Sequence, residues 1–374
     1  MSTFLPRRLQ RIAHILLCFL LLFFSGCLPP TQSSQSDRKA TSFKKDQLVV
    51  RYNSKLSSRL RDSVRNVLFG KYKITKIERC VCDSTLELIY ASGIEWHLDS
   101  TLKGNSTTGG VDSSMKGNTS TGGVDSTRGN SSRDGVSVVG GLDSVTGNRS
   151  RGGVDSMYRV IYSRNFLLDR VIPGSKRMEK NVPAEYGGQK SKKVRIAVID
   201  TGLDTLSAFT EASYFKFLLP ASQVAYQEVG ISWVPTNATS RYFGWNFIQN
   251  NQNIMDDHSF QHGTNVTGLI LGQNPDYAPE IIPLKAVNAQ GNFEMFHVLC
   301  ALRFAERAQV NLVNTSWGYF GAPNIAMTDV LQSLSSKGIA VIASAGNEGI
   351  EIGGVDSYYP ACYSNDQSGL KNVI

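Results

Sequence analysis

Three short segments hold residue types that move or stabilise charge. V-R-I-A-V-I-D-T-G-L-D at 194–204 supplies a carboxylate, Asp200; H-G-T-N-V-T-G at 262–268 supplies an imidazole, His262; A-S-A-G-N-E-G at 343–349 supplies a carboxamide, Asn347. Val194 to Ile199 is apolar except for Arg195, the pattern of a strand buried in a parallel sheet. Asp200 then falls at a strand's carboxyl end, where open α/β sheets place their sites. Taken singly, the residues have plainer readings: an Asp before Thr-Gly caps a turn, and Gly-Asn is itself a turn dipeptide. His258 and His297 sit in no comparable motif and read as surface or hydrogen-bonded histidines.

In order and separation, the three segments resemble the catalytic segments of the subtilisin family. That resemblance implies that Asp200 holds His262 in one tautomer, and that His262 takes a proton from a serine hydroxyl and returns it to the leaving amine. It makes Asn347 the side-chain donor of an oxyanion hole, a fixed dipole worth about 3 kcal/mol in subtilisin itself. Residues 262–272 match the helix that opens at the catalytic histidine, with small residues at 263, 264, 267 and 268 for close packing on the sheet. The pattern departs at Gln261, where Gly is commoner, and at Asn265, where a second His is common. Ser316-Trp317-Gly318 matches the S-x-G edge that pairs with the substrate backbone as an added strand. There Gly318 keeps the side clear, and Trp317 either narrows an apolar subsite or packs. Ser344-Ala345-Gly346 forms a second substrate-binding wall.

The family's nucleophile follows in a G-T-S-x-A-x-P segment, and none occurs before Ile374. Ser368, in Gln367-Ser368-Gly369, lacks the helix start that would aim it. Tyr359-Pro360-Ala361 and Asn372-Val373-Ile374 match the family's Y-P-A segment and the opening of the next strand. The expectation is a subtilisin-like serine endopeptidase, truncated ahead of its serine and without turnover in this form. The alternative is a non-catalytic, lipid-anchored protein that binds peptides. Polypeptides are the expected partners. No cofactor is identified: the family admits calcium, but neither a calcium site nor any other metal site is assigned.

The elements that must position these residues alternate. Strands over Ile281–Val287, Val310–Trp317 and Ala340–Ala345 intersperse with helices over Glu294–Ala308 and Ile325–Lys337. Such an order implies α/β architecture with a parallel sheet and right-handed crossovers, here over 192–374. Ahead of it, 46–97 reads as a small α+β unit: a strand at 47–52, a helical apolar pattern at 56–69 and extended runs at 73–81 and 85–90. That β-α-β-β order resembles the family's propeptide, which assists folding and blocks the cleft. Residues 98–156 repeat a Gly/Ser/Asn-rich unit whose starts are marked by Asp99, Asp112, Asp125, Asp143 and Asp155. One small apolar residue per unit buries too little to offset ordering entropy, so the tract is expected to be disordered. Its Asp spacing does not fit the nine-residue calcium solenoid. Residues 157–191 read as the last propeptide strand and an exposed linker.

At the amino terminus Arg7, Arg8 and Arg11 precede a run from Ile12 to Phe24 that is apolar but for His14, then Ser25-Gly26-Cys27. Thirteen residues fall short of the ~20 that span a bilayer. The segment resembles a bacterial lipoprotein signal, which makes 1–26 a leader, Cys27 the lipidated residue, 27–45 a tether, and the cell envelope the location. Of six cysteines, Cys80, Cys82, Cys300 and Cys362 then remain. Cys80 and Cys82 share one side of a strand and could pair or share a metal, but no second C-x-x-C-like pair completes a zinc set, and buried strand positions are the simpler reading. The net charge of +8 divides into +13 over 1–190 and −5 beyond. The basic residues are scattered without aromatic interleaving, so they read as solvated surface rather than a nucleic-acid face.

Overall fold

The computed structural model describes residues 42–94, 123–124, 136–140, 160–168, 193–205, 217–223, 225–232, 241–272, 279–353, 356–365 and 369–374. Cys27, the leader and most of the tether, repeat tract and linker lie outside them. By internal packing there is a large unit, Ala40–Gly346 with Glu351–Ile374, and a small one that includes Asn347–Ile350.

The amino-terminal part of the large unit runs β1 (Ser42–Tyr52), α1 (Ser58–Phe69), β2 (Ile74–Cys80), β3 (Asp83–Ala91), β4 (Gly123–Val124), β5 (Val136–Gly140) and β6 (Val160–Leu168). Strand order is β2-β3-β1-β6-β5-β4, with β1 antiparallel to both β3 and β6. Ser57 caps α1, its hydroxyl accepting from the Leu60 amide. Because alternate strand residues face opposite sides, the sheet has two apolar faces. Leu48, Val50, Tyr52, Ile89, Ala91, Val160 and Tyr162 pack on α1 through Val64, Leu68 and Phe69. Val49, Leu86, Leu88 and Ile161 point the other way, into a second core. Glu87 faces α1, where the Arg65 guanidinium binds both of its carboxylate oxygens at 2.9 and 3.0 Å.

Two stretches of the repeat tract depart from the expected disorder. Gly123–Val124 pairs with Val136–Gly140, and the latter runs parallel to β6. The reason is local: Val136, Val138 and Val139 form the tract's one cluster of valines, so this stretch has a strand propensity that the surrounding Gly/Ser/Asn residues lack. The last strand, β6, runs from Val160 to Leu168, inside the 157–191 region read as strand and linker.

The second half carries β7 (Val194–Asp200), β8 (Trp245–Asn246), α2 (His262–Gly272), β9 (Pro279–Lys285), β10 (Phe293–Glu294), α3 (Met295–Arg307), β11 (Leu312–Thr315), β12 (Tyr319–Phe320), α4 (Ile325–Ser336), β13 (Ala340–Ala343) and β14 (Tyr358–Tyr359). Its sheet has the order β13-β11-β7-β9-β8, and every pairing in it is parallel. Val341 also bridges Val373 in parallel, so the last residues lie alongside β13. Asn324 caps α4, its side chain accepting from the Ala326 and Met327 amides. Buried residues of α3 and α4, among them Leu299, Ala301, Phe304, Val330 and Leu334, share one core with the second face of the amino-terminal sheet. The two halves are further joined where β10 pairs antiparallel with β6. No helix among the described residues is long and apolar enough to cross a membrane.

Candidate active site

Asp200 ends β7, the central strand of the parallel sheet, and His262 is the first residue of α2. The two meet: His262 Nδ1 lies 2.7 Å from Asp200 Oδ1. Close approach requires the missing side chain of Gly263, where a Cβ would stand 2.4 Å from the Gly202 carbonyl oxygen and 3.0 Å from Asp200 Cβ. Gly202 adopts φ +119°, and a Cβ there would meet the Ile254 carbonyl oxygen at 2.5 Å.

The first amides of α2 have no partners within the helix, and side chains from the Asp200 turn and the preceding loop supply them. Thr201 Oγ1 accepts from Gly263 N at 2.8 Å, and the buried Asp256 carboxylate accepts from Thr264 N and Oγ1 at 3.0 and 2.8 Å. A carboxylate there also complements the helix dipole. The Thr201 amide in turn donates to Asp200 Oδ1 at 2.7 Å, so one threonine orients the carboxylate and anchors the histidine's helix. Lys285, in register with Asp200 on β9, donates its buried ammonium to the Thr201 carbonyl and to Asp257. The departure at Gln261 has a backbone cost, since its φ of +47° is one that Gly adopts without strain. Its side chain is held by Asp204 at 2.5 Å.

Burial works against a charged His262, but the Asp200 carboxylate, through its charge and hydrogen bond, more than offsets this and raises the imidazole pKa above its ordinary value. The pair therefore adds stability that is full below the ordinary histidine pKa and is lost as pH rises through the folded value. Asp200 Oδ2 is buried without a hydrogen-bond donor among the described residues, which leaves Oδ1 to carry both bonds. His258 is buried and shifted the opposite way, chiefly by burial. With Nδ1 unpartnered among the described residues, it belongs to the loop's packing.

The other site residues lie along the same sheet edge. Ser316-Trp317-Gly318 follows β11, which neighbours β7, and Ser344-Ala345-Gly346 follows β13, which neighbours β11. Ser316 Oγ donates to Asn314 Oδ1 at 3.0 Å; Ser344 Oγ accepts from the Gly346 amide at 3.2 Å. Trp317 is core packing: its indole donates to the Ile199 carbonyl at 2.8 Å and stacks at a tilt on Phe293. Gly318 does not leave an open side. A Cβ there would stand 2.3 Å from the Tyr358 ring and 2.7 Å from the Tyr359 carbonyl oxygen, because β12 pairs with the chain's own β14. Asn347 is exposed and belongs to the small unit, where its amide donates to the Glu348 carboxylate at 2.8 Å.

Sequence reasoning missed Thr201, Asp256 and Lys285. The last carried a signal: a lysine at the end of the otherwise apolar run I-I-P-L-K, where a charge has to find a buried partner.

Residues 191–374 match the family model described as Peptidase_S8, Subtilase family. Subtilisin Savinase from Lederbergia lenta is 28% identical over 150 residues, which cover 38% of this chain and 52% of that protein. The alkaline protease of Shouchella clausii is 28% identical over 150 residues, 38% and 37% of the two chains. Subtilisin-like protease 3 from Pseudogymnoascus destructans is 30% identical over 122 residues, 30% and 29% of the two. A solved structure described as Crystal Structure of a Lanthipeptide Protease aligns with TM-score 0.34 at 22% identity, covering 48% of this chain and 47% of that one. The chain thus spans about half the length, or less, of the curated relatives it matches. Its matched half is a subtilase-family domain built on a parallel-sheet α/β core.

Proposed function

We propose that residues 192–374 provide the Asp–His part of a subtilisin-type serine endopeptidase site acting on polypeptides. The observation that carries this reading is the 2.7 Å contact between Asp200 and His262 at the carboxyl end of the central strand. In this reading Asp200 fixes the imidazole with Nδ1 protonated, leaving Nε2 to take the proton of a serine hydroxyl. No G-T-S-x-A-x-P segment occurs among the 374 residues, so the nucleophile has to come from outside them and these residues alone turn over no peptide. Asn347 is the donor assigned to the oxyanion, and the segment after β13 is the wall for substrate. The amino-terminal α+β unit, docked on α3 and α4, acts as the propeptide. Cys27 is the lipid attachment point that holds the protein at the cell envelope.

A fluorophosphonate probe, which reacts with activated serines, tests the peptidase reading. The 374-residue chain should remain unlabelled. The same chain extended by a subtilase segment bearing G-T-S-x-A-x-P should label at that serine, and His262→Ala should abolish labelling. Labelling of the 374-residue chain that depends on His262 would require a nucleophile among its own residues and overturn this assignment.

A further inference from the structure

Three of the four described cysteines converge where the amino-terminal sheet meets α3. Cys80 ends β2, Cys82 lies in the turn to β3, and Cys300 sits mid-helix on α3; each is at most 4% exposed. The Sγ atoms of Cys80 and Cys82 are 3.5 Å apart, and Cys82 Sγ lies 3.5 Å from the Cys300 carbonyl oxygen. Cys80 and Cys300 lie in the same buried core, with Cys82 touching the Cys80 thiol on one side and the Cys300 carbonyl on the other. All three are free thiols.

Their position is specific to the docked state. Cys80 and Cys82 belong to the core that the sheet shares with α3 and α4, not to the one it shares with α1. Undocking therefore exposes them, and docking brings Cys80 into one core with Cys300, 220 positions away in the sequence. Cys80 and Cys82 are poorly placed to bridge each other, since residues two apart must strain to reach disulfide geometry. Burial pushes the Cys82 and Cys300 thiols up, so these remain protonated and unreactive while the interface is closed. Oxidation thus belongs to the open state and to the moment of closure.

We propose that Cys80 and Cys300 are a disulfide-forming pair that ties the amino-terminal unit covalently to α3. The step is two exchanges with a disulfide RSSR, such as oxidised glutathione. The Cys80 thiolate attacks one sulfur of RSSR, breaking the S–S bond, forming Cys80–S–S–R and releasing RS⁻, which takes up a proton. On docking, the Cys300 thiolate attacks the Cys80 sulfur, forms the Cys80–Cys300 bond and releases the second RSH. Two protein thiols are oxidised, RSSR is reduced to two RSH, and the two thiol protons leave on them. After a cut in the segment between the two halves, a bridged unit stays attached until a reductant opens it. Bridge formation is independent of peptidase chemistry; only its meaning, as control over release of the propeptide, rests on the function proposed above.

The test is to fold the full 374-residue chain in a buffer of reduced and oxidised glutathione, block free thiols with N-ethylmaleimide, and map disulfides by mass spectrometry. A parallel sample is nicked with trypsin in the basic 169–192 stretch and run on gels with and without dithiothreitol. A Cys80–Cys300 peptide should appear, with Cys362 alkylated. The two fragments should run together without reductant and separate with it. Cys80→Ser and Cys300→Ser should each remove the link, and Cys82→Ser should retain it. The proposal is overturned by Cys80–Cys82 as the bridge, by Cys82–Cys300 in its place, by comparable pairing of Cys362, or by thiols that all remain alkylated. The wild-type peptide map decides the matter even where a serine variant folds poorly. A Cys80–Cys300 bridge in a chain that fails the fluorophosphonate test would leave this inference standing and the peptidase reading refuted.

Discussion

In the chain extended by a subtilase serine segment, His262→Ala should lower kcat for a peptide substrate by on the order of 10⁶, the loss known for the catalytic histidine of subtilisin itself. Asp200→Asn should cost about 10⁴, the known effect of disturbing the tautomer in a serine-protease triad. The two should not add when combined, because the carboxylate acts through the imidazole it contacts at 2.7 Å. KM should change little, since neither side chain belongs to the wall assigned to substrate. A loss under 10²-fold for His262→Ala would remove the histidine from the proton path. The extended chain is the informative background, because without a nucleophile both variants start from zero turnover.

Removing Arg303 should have the largest effect on the contact between the halves. Arg303 on α3 reaches Asp83 on the amino-terminal sheet at 2.6 Å and also binds Glu306, whose carboxylate accepts from Ser333 and Lys337 at 2.8 Å. Asp83 and Glu306 are each 2% exposed, so Arg303→Ala leaves two buried carboxylates short of their shared cation. Breaking a buried pair in this way costs about 3–5 kcal/mol, readable as a lower free energy of unfolding in denaturant and as faster amide exchange through β2 and β3. Arg303→Lys should recover only part, because an ammonium lacks the fork that reaches both acids. Burial raises the pKa of both acids, but Arg303, with Thr85 at Asp83 and Lys337 at Glu306, more than offsets it and holds each below the ordinary carboxylate value. The opened form thus binds protons more readily. The contact is at full strength above the ordinary carboxylate range and loosens as pH falls through the folded values. Loss of less than 1 kcal/mol in Arg303→Ala would show that the contact rests on its apolar core alone.

Much of this architecture is legible in the sequence because local pattern and tertiary need coincide. The apolar run before Asp200 becomes β7 with the aspartate at its end, and the small residues after His262 allow α2 to lie against the Gly202 turn. Helices α3 and α4 fall within a residue of their apolar periodicity. What was not legible depends on residues far apart in sequence. The alternation in β1 and β3 announces two apolar faces, yet only the fold shows that the second is covered by α3 and α4. Gly318 reads as space for substrate until Tyr358, forty residues later, is found in that space. Asp256 lies in no motif and Thr201 stands in one only as the neighbour of Asp200, because their work is to satisfy amides of a helix that packs there only in the fold. The strand at 136–140 was hidden by the composition of the repeats around it.

The most direct test of the Asp200–His262 assignment needs no turnover. In the 374-residue chain with ¹⁵N-labelled histidine, the His262 ring should titrate above the ordinary value of about 6.5, with the proton on Nδ1 in the neutral form and a low-field signal for that proton. Asp200→Asn should remove the low-field signal and bring the pKa down, because burial then acts on the imidazolium without the opposing carboxylate. A His262 pKa at or below the ordinary value, or one that Asp200→Asn leaves unchanged, would contradict the pairing on which the catalytic reading rests.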